Sequence, residues 1–169
     1  MRDFLEARLG PYRRRGLLLD SNLLLLYVVG QTDRRLIRSF KRTQEFTDAD
    51  FRLLFGLVTS FGSLVTTPHV LTEVNGLTNQ LTGAHRQNVR VRIALDAPRW
   101  DERHVPAAPL TRTAAFASLG LTDAALAFLA HGPDGPLVLS TDSALVQLIA
   151  GRGGAADTFS TYQSLNAQR

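Results

Sequence analysis

Residues 16–29 read GLLLDSNLLLLYVV, and this stretch decides the fold. Leu17–Leu19 is brief, continuous and apolar, as a buried strand is, and the apolar residues after Asn22 belong to a helix. Asp20 stands between the two. A carboxylate beside a buried strand and helix costs stability unless something compensates it. Three more acids occupy comparable boundaries: Glu73 in TTPHVLTEVNGL, Asp123 in LGLTDAAL and Asp142 in LVLSTDSAL. Singly, Asp123 and Asp142 suit helix N-termini, where negative charge gains roughly 0.3–1 kcal/mol, and Glu73 suits a helix surface. Together, the four point to one site where a hard divalent cation supplies the compensation.

Working outward, Leu64–Thr66 and Leu137–Leu139 match the Leu17–Leu19 pattern and predict two more buried strands. Arg99–Val105 is charged and runs into Pro106, which suits a strand at a sheet edge. Thr158–Thr161 predicts a short final strand. Thr47 with Asp50 three residues on predicts a capped helix whose apolar face carries Phe51, Leu54, Phe55, Val58 and Phe61. Pro68 opens a second helix with Val70, Val74, Leu77 and Leu81 as its stripe. Thr122 is expected to cap a third, and Thr141 or Asp142 opens a fourth that ends at Gly151. This alternation predicts an α/β protein, a three-layer α/β/α domain with a mostly parallel central sheet.

The chain has 169 residues, which fits one domain over 1–169. Residues 1–15 read as a basic N-terminal extension, and 31–63 as a helical insertion between Asp20 and Glu73. The hydrophobic content of 44% is that of a globular protein. No cysteine is present, which excludes disulfides and thiolate metal sites. Arg13–Arg15 followed by apolar residues imitates a signal peptide, but Asp20 and Asn22 interrupt the run and no small-residue cleavage site follows. The run is also too short to span a bilayer. A cytoplasmic location without membrane contact is expected.

Net charge is +4, and Lys41 is the only lysine. Arginine forks match phosphate oxygens, so an arginine-rich surface around an acidic pocket suits a nucleic-acid partner. The stretch DRRLIRSFKR, residues 33–42, is basic and amphipathic, with Leu36, Ile37 and Phe40 on one side. It reads first as a solvated helix packed by those three residues; the alternative is a substrate- or partner-binding arm, with Arg34, Arg35, Arg38, Lys41 and Arg42 as candidate substrate contacts.

Asp20 and Asp142 each follow a predicted strand, and ligands in open parallel sheets bind beyond the strands' carboxyl ends, where strand order reverses. Glu73 and Asp123 fall in helices expected to begin on that side. Four carboxylates so close repel and raise one another's pKa values, which magnesium or manganese (Mg2+ or Mn2+) would relieve. Such a metal activates water and stabilises charge on a phosphodiester. Ser21, Asn22, Thr122 and Thr141 are candidates to hold the carboxylates or the metal-bound water.

The segments LLLDSNLLL, TPHVLTEV, LGLTDAAL and LSTDSAL resemble, in that order, the four acidic motifs of PIN-domain ribonucleases. The likeness extends from about Gly16 to Asp142. It implies a parallel sheet flanked by helices, Mg2+ or Mn2+ in an acidic pocket, and endonucleolytic cleavage of RNA. Asp20, Glu73, Asp123 and Asp142 become the acidic constellation, with Asn22 and Thr141 as polar supports. Many bacterial members are toxins silenced by a small antitoxin, and many are homodimers. The long separation of Asp20 from Glu73 departs from the compact family pattern.

Other chemistries lack their signatures. GxxxxGK[ST], HExxH and GxSxG are absent, and GRGG at 151–154 follows a helix and reads as its terminal turn. His69, His85, His104 and His131 lack ligand spacing; His69 lies nearest Glu73. The expected function is a divalent-metal-dependent endoribonuclease. The alternatives are a non-catalytic PIN-like module that binds RNA or protein, and a structure-specific DNA nuclease.

Overall fold

A computed structural model describes residues 2–167. In chain order it contains α1 (Arg2–Leu9), β1 (Leu17–Leu19), α2 (Ser21–Thr32), α3 (Arg35–Ser39), α4 (Asp48–Thr59), β2 (Leu64–Thr66), α5 (Pro68–Thr78) and α6 (Gly83–Asp96). There follow β3 (Asp101–Glu102), α7 (Ala107–Leu110), α8 (Ala114–Leu119), α9 (Leu121–Ala130), β4 (Leu137–Ser140), α10 (Ser143–Ala150), β5 (Ala156–Thr158) and α11 (Phe159–Ala167). The five strands form one sheet in the order β3-β2-β1-β4-β5, and every pairing is parallel. Helices flank it, giving the expected α/β/α architecture.

β1 is central because it is apolar without alternation, as a strand covered on both faces must be. Leu17 aligns with Leu64 on one side and Leu137 on the other. The helix that follows is buried almost all round: from Leu23 to Gly30 every residue is inaccessible. A helix apolar on all sides belongs inside the molecule, and α2 lies there, between β1 and the helices α4, α5 and α6. Its Gly30 meets the ring of Phe51 so closely that an added Cβ would overlap it. That approach seats α4 against α2.

Strand order reverses between β1 and β4. From β1 the chain moves outward to β2 and β3, then returns to β4 and continues to β5. The carboxyl ends of β1 and β4 therefore lie side by side at the switch point, which is where Asp20 and Asp142 were expected to meet.

Several expectations need correction. The strand expected over Arg99–Val105 is only Asp101–Glu102, because Pro98 sits in a 3-10 turn over Ala97–Arg99 and Arg103 turns back onto Asp101. It does form a sheet edge, paired with Val65 and Thr66. The final strand ends at Thr158 instead of beginning there; the Thr158 hydroxyl bonds to Thr161 and Ser160, starting α11. Thr122 does not cap α9. Gly120 takes that position at φ +95°, a conformation suited to glycine, and Thr122 lies in the first turn. Phe55 is 40% exposed and stacks on Tyr27 at 6.2 Å between ring centroids, while Leu57 is buried in its stead.

The capping box at Thr47 and Asp50 forms as expected, as does the end of α10 at Gly151, while the α5 stripe is Val70 and Val74 with Leu77 partly buried, and Leu81 is buried beyond the helix end. The N-terminal residues are joined to the domain: Leu9 is buried, Arg8 pairs with Asp157 in β5, and Gly62 donates its N–H to the Arg13 carbonyl at 2.8 Å. Within 31–63, Leu36, Ile37 and Phe40 are buried, and α3 and α4 pack on α2. Among the described residues no helix is long and apolar enough to cross a membrane.

Candidate functional site

An open pocket of about 510 Å³ sits beyond the carboxyl ends of β1 and β4. Asp20, Glu73, Asp123 and Asp142 all line it, with Ser21, Asn22 and Thr122. The four acids come from four separate places: the β1–α2 turn, the second turn of α5, the first turn of α9, and the cap of α10.

Asp20 is the most deeply placed, 5% exposed. Its Oδ1 accepts the Leu23 N–H at 2.7 Å, which makes it the N-cap of α2. Its Oδ2 accepts three donors: the Ser140 hydroxyl at 2.6 Å, the Thr141 N–H at 2.7 Å and the Thr141 hydroxyl at 3.2 Å. Burial raises the pKa of Asp20, and these bonds, Ser140 first, oppose the rise. Asp20 thus bolts the end of β1 to the end of β4. Thr141 supports a carboxylate as expected, although its side chain does not line the pocket.

Asp142 caps α10 through Oδ1, accepting from Ala144 N at 2.7 Å and more distantly from Leu145 N at 3.4 Å. Its own N–H donates to the Ser140 hydroxyl oxygen at 2.9 Å. Ser140 therefore relays between Asp142 and Asp20, accepting from one and donating to the other. On α5, Glu73 is exposed and its Oε2 accepts the Ser21 hydroxyl at 2.9 Å. Asn22 and Thr122 reach the pocket without a hydrogen bond to any of the four acids among the described residues.

Asp123 records the electrostatics of the site. Its pKa rises to about 6, first through desolvation and then through the charges of Asp142, Asp20 and Glu73. Among the described residues, none of the four acids pairs with an arginine, lysine or histidine. The pocket is a concentration of negative charge left uncompensated among the described residues.

The donor set fits a hard divalent cation. Glu73 Oε1, Asp142 Oδ2 and both oxygens of Asp123 have no hydrogen-bond donor among the described residues, whereas Asp20 is largely occupied. Among the described residues no three His, Asp or Glu side chains stand close enough together to hold one ion between them. Magnesium does not require three, since it typically keeps several waters and takes one or two carboxylates.

The basic residues of 33–42 do not line this pocket. Arg34 pairs with Asp48 at 3.6 Å and lies over the Phe51 ring, and Arg35 pairs with Asp33 at 2.9 Å. Those two are neutralised locally, so only Arg38, Lys41 and Arg42 of the five keep uncompensated charge among the described residues.

His69, the histidine nearest Glu73 in sequence, also lines the pocket, as do Ser140, Pro68, Thr72, Leu119 and Leu121, which the sequence does not single out for it. His69 Nε2 donates to the Val105 carbonyl at 2.9 Å, tying the start of α5 to the segment after β3. Ser140 had one available signal: it is the last residue of an apolar strand and the next acid is two residues on. No protein-family model, no curated protein and no solved structure matches this chain.

Proposed function

We propose that this protein is a divalent-metal-dependent endoribonuclease, of the PIN-domain kind its four acidic motifs resemble. The observation that carries the reading is the meeting of Asp20, Glu73, Asp123 and Asp142 in one open, uncompensated pocket at the sheet's switch point. Burial first and the charges of Asp142, Asp20 and Glu73 second hold Asp123 near 6, and a bound cation would offset both.

Mg2+ or Mn2+ would be held directly by one or two of Glu73, Asp123 and Asp142, with the free oxygens of the rest reaching it through metal-bound water. When bound, the ion activates water and neutralises charge on the phosphodiester. Asp20 orients the site instead: its bonds to Ser140 and Thr141 fix where Asp142 stands, and its cap fixes Ser21 beside Glu73. Ser21 holds one Glu73 oxygen, leaving the other for the pocket. An open pocket admits an unpaired strand, and the chain's arginine excess supplies attraction at longer range.

Toxin activity under an antitoxin and homodimerisation accompany this reading through the family likeness alone, and a cytoplasmic location through the interrupted apolar run at residues 16–29. Growth arrest on expression, relieved by a neighbouring gene product, would test the first of these.

The test is cleavage of total cellular RNA by purified protein, with magnesium, with manganese and with EDTA. Asp123→Asn and Glu73→Gln are the informative variants, because neither acid caps a strand-to-helix turn as Asp20 does. Metal-dependent fragments lost in both variants support the nuclease. RNA binding without cleavage would favour a binding module, and cleavage confined to flapped or single-stranded DNA a DNA nuclease.

A further inference from the structure

The acidic pocket repels the backbone it is proposed to cut, so something must draw a phosphate chain toward it. The candidate lies at the far end of α5. Arg42 Nε donates to Gln80 Oε1 at 3.0 Å, and Arg90 Nη2 donates to Asn79 Oδ1 at 2.6 Å. Two guanidinium groups from different elements, the segment after α3 and the middle of α6, are thus pinned on consecutive residues of one turn. Both partners are neutral amides. Neither arginine has a carboxylate within ion-pair distance among the described residues, so each is positioned while keeping its full charge.

Arg38 also lacks an acidic partner among the described residues, but no amide holds it in place as Gln80 and Asn79 hold Arg42 and Arg90. Arg34, Arg35, Arg52 and Arg92 are all paired with aspartates. Arg86 stands one turn before Arg90 on α6, lining the same shallow surface groove, and is likewise without an acidic partner among the described residues.

A path connects the fork to the pocket. Glu73 and Gly76 lie one turn apart on α5, Asn79 and Gln80 continue in the turn that follows Thr78, and all four are exposed. An added Cβ at Gly76 would meet nothing within 4 Å, so the stripe is open at its middle. Six to seven residues at 1.5 Å each place the fork about 10 Å along the axis from Glu73. That is about one Debye length at moderate salt, so its pull reaches a strand at the pocket mouth.

We propose that a single RNA strand leaves the acidic pocket along this face of α5 and is held by its phosphates at the Arg42–Arg90 fork. The inference rests on the nuclease reading for the chemistry of the strand and extends it to a binding path. A stripe one helix wide suits a single strand. Guanidinium forks read phosphate rather than base identity, so the path grips without selecting sequence.

Anisotropy of a fluorescein-labelled unpaired 12-nucleotide RNA, in EDTA at several salt concentrations, tests this without requiring cleavage. Arg42→Ala/Arg90→Ala should bind about thirtyfold more weakly, since each of the two close unit-charge pairs contributes on the order of 1 kcal/mol in water. Its log–log salt slope should flatten by about 1.4, from two lost single-strand phosphate contacts. Gly76→Trp should also weaken binding while leaving net charge unchanged. Arg14→Ala/Arg152→Ala removes the same charge elsewhere and should bind as the wild type does. Equal loss in both double variants, or wild-type binding by Arg42→Ala/Arg90→Ala, overturns the path. If cleavage is also observed, the fork variant should raise KM with kcat retained. If no cleavage is ever seen, the binding difference still decides this inference separately from the nuclease.

Discussion

Asp123 is held near 6 by burial and by three neighbouring carboxylates, so its ionisation works against the folded state in metal-free protein. Its folded pKa lies above its unfolded one. The stability linked to its proton is therefore fully present below about pH 4 and is lost as the pH rises through about 6. Asp123→Asn removes that titration. In EDTA the variant should gain melting temperature relative to wild type at pH 7.5, with the gain shrinking toward pH 4.5; thermal melts across that range measure it. Ser140 has the opposite character. Its hydroxyl serves a buried carboxylate and a backbone N–H, so Ser140→Ala should cost about 1–3 kcal/mol in urea unfolding. Glu73→Gln, exposed and with one hydroxyl partner, should stay within about 0.5 kcal/mol of wild type. The four acids were legible because each interrupts or borders apolar residues that would exclude it. Ser140 was not, since a serine before Thr141 and Asp142 reads as one more candidate cap, and its two partners come from folding β4 against β1.

At the scale of elements, the close approach of α2 and α4 makes a sharp test. Gly30→Ala places a methyl group in the ring of Phe51 and should destabilise by about 2 kcal/mol. Combining it with Phe51→Leu should cost less than the two changes summed, because a smaller side chain accepts the added carbon; urea denaturation of the four proteins measures the coupling. The periodicity of α4, α5 and α10 was readable because each buries one face. α6 was not read at all. Over Gly83–Asp96 only Val89 and Asp96 are buried, so there is no apolar stripe to detect. Its place is set by tertiary contact, including Gln31 on Asp96. The short β3 and the shift of β5 have a similar origin. Two or three residues become a strand only when a neighbouring edge offers hydrogen bonds, and sequence patterning cannot count those.

For the whole molecule, five parallel strands in the order β3-β2-β1-β4-β5 bring distant residues to one end of the sheet. Asp20 and Asp142, 122 positions apart in sequence, become neighbours because β1 and β4 pair. Alternation of strands and helices foretold the layers and the end at which a site would form. It did not foretell the strand order, which long-range pairing sets, nor that Asp20 would be consumed in holding two strand ends together. The resulting charge distribution is polar in the literal sense: uncompensated carboxylates in the pocket, uncompensated guanidinium groups at the far end of α5.

The central claim is that these carboxylates form one cation site, and calorimetric titration of the purified protein with Mn2+ at pH 7.5 tests it most directly. Binding that Glu73→Gln and Asp123→Asn each weaken by about tenfold or more, with both variants still folded, is the predicted result. Mn2+ binding of equal strength in wild type and both variants, or none in any of them, would contradict it.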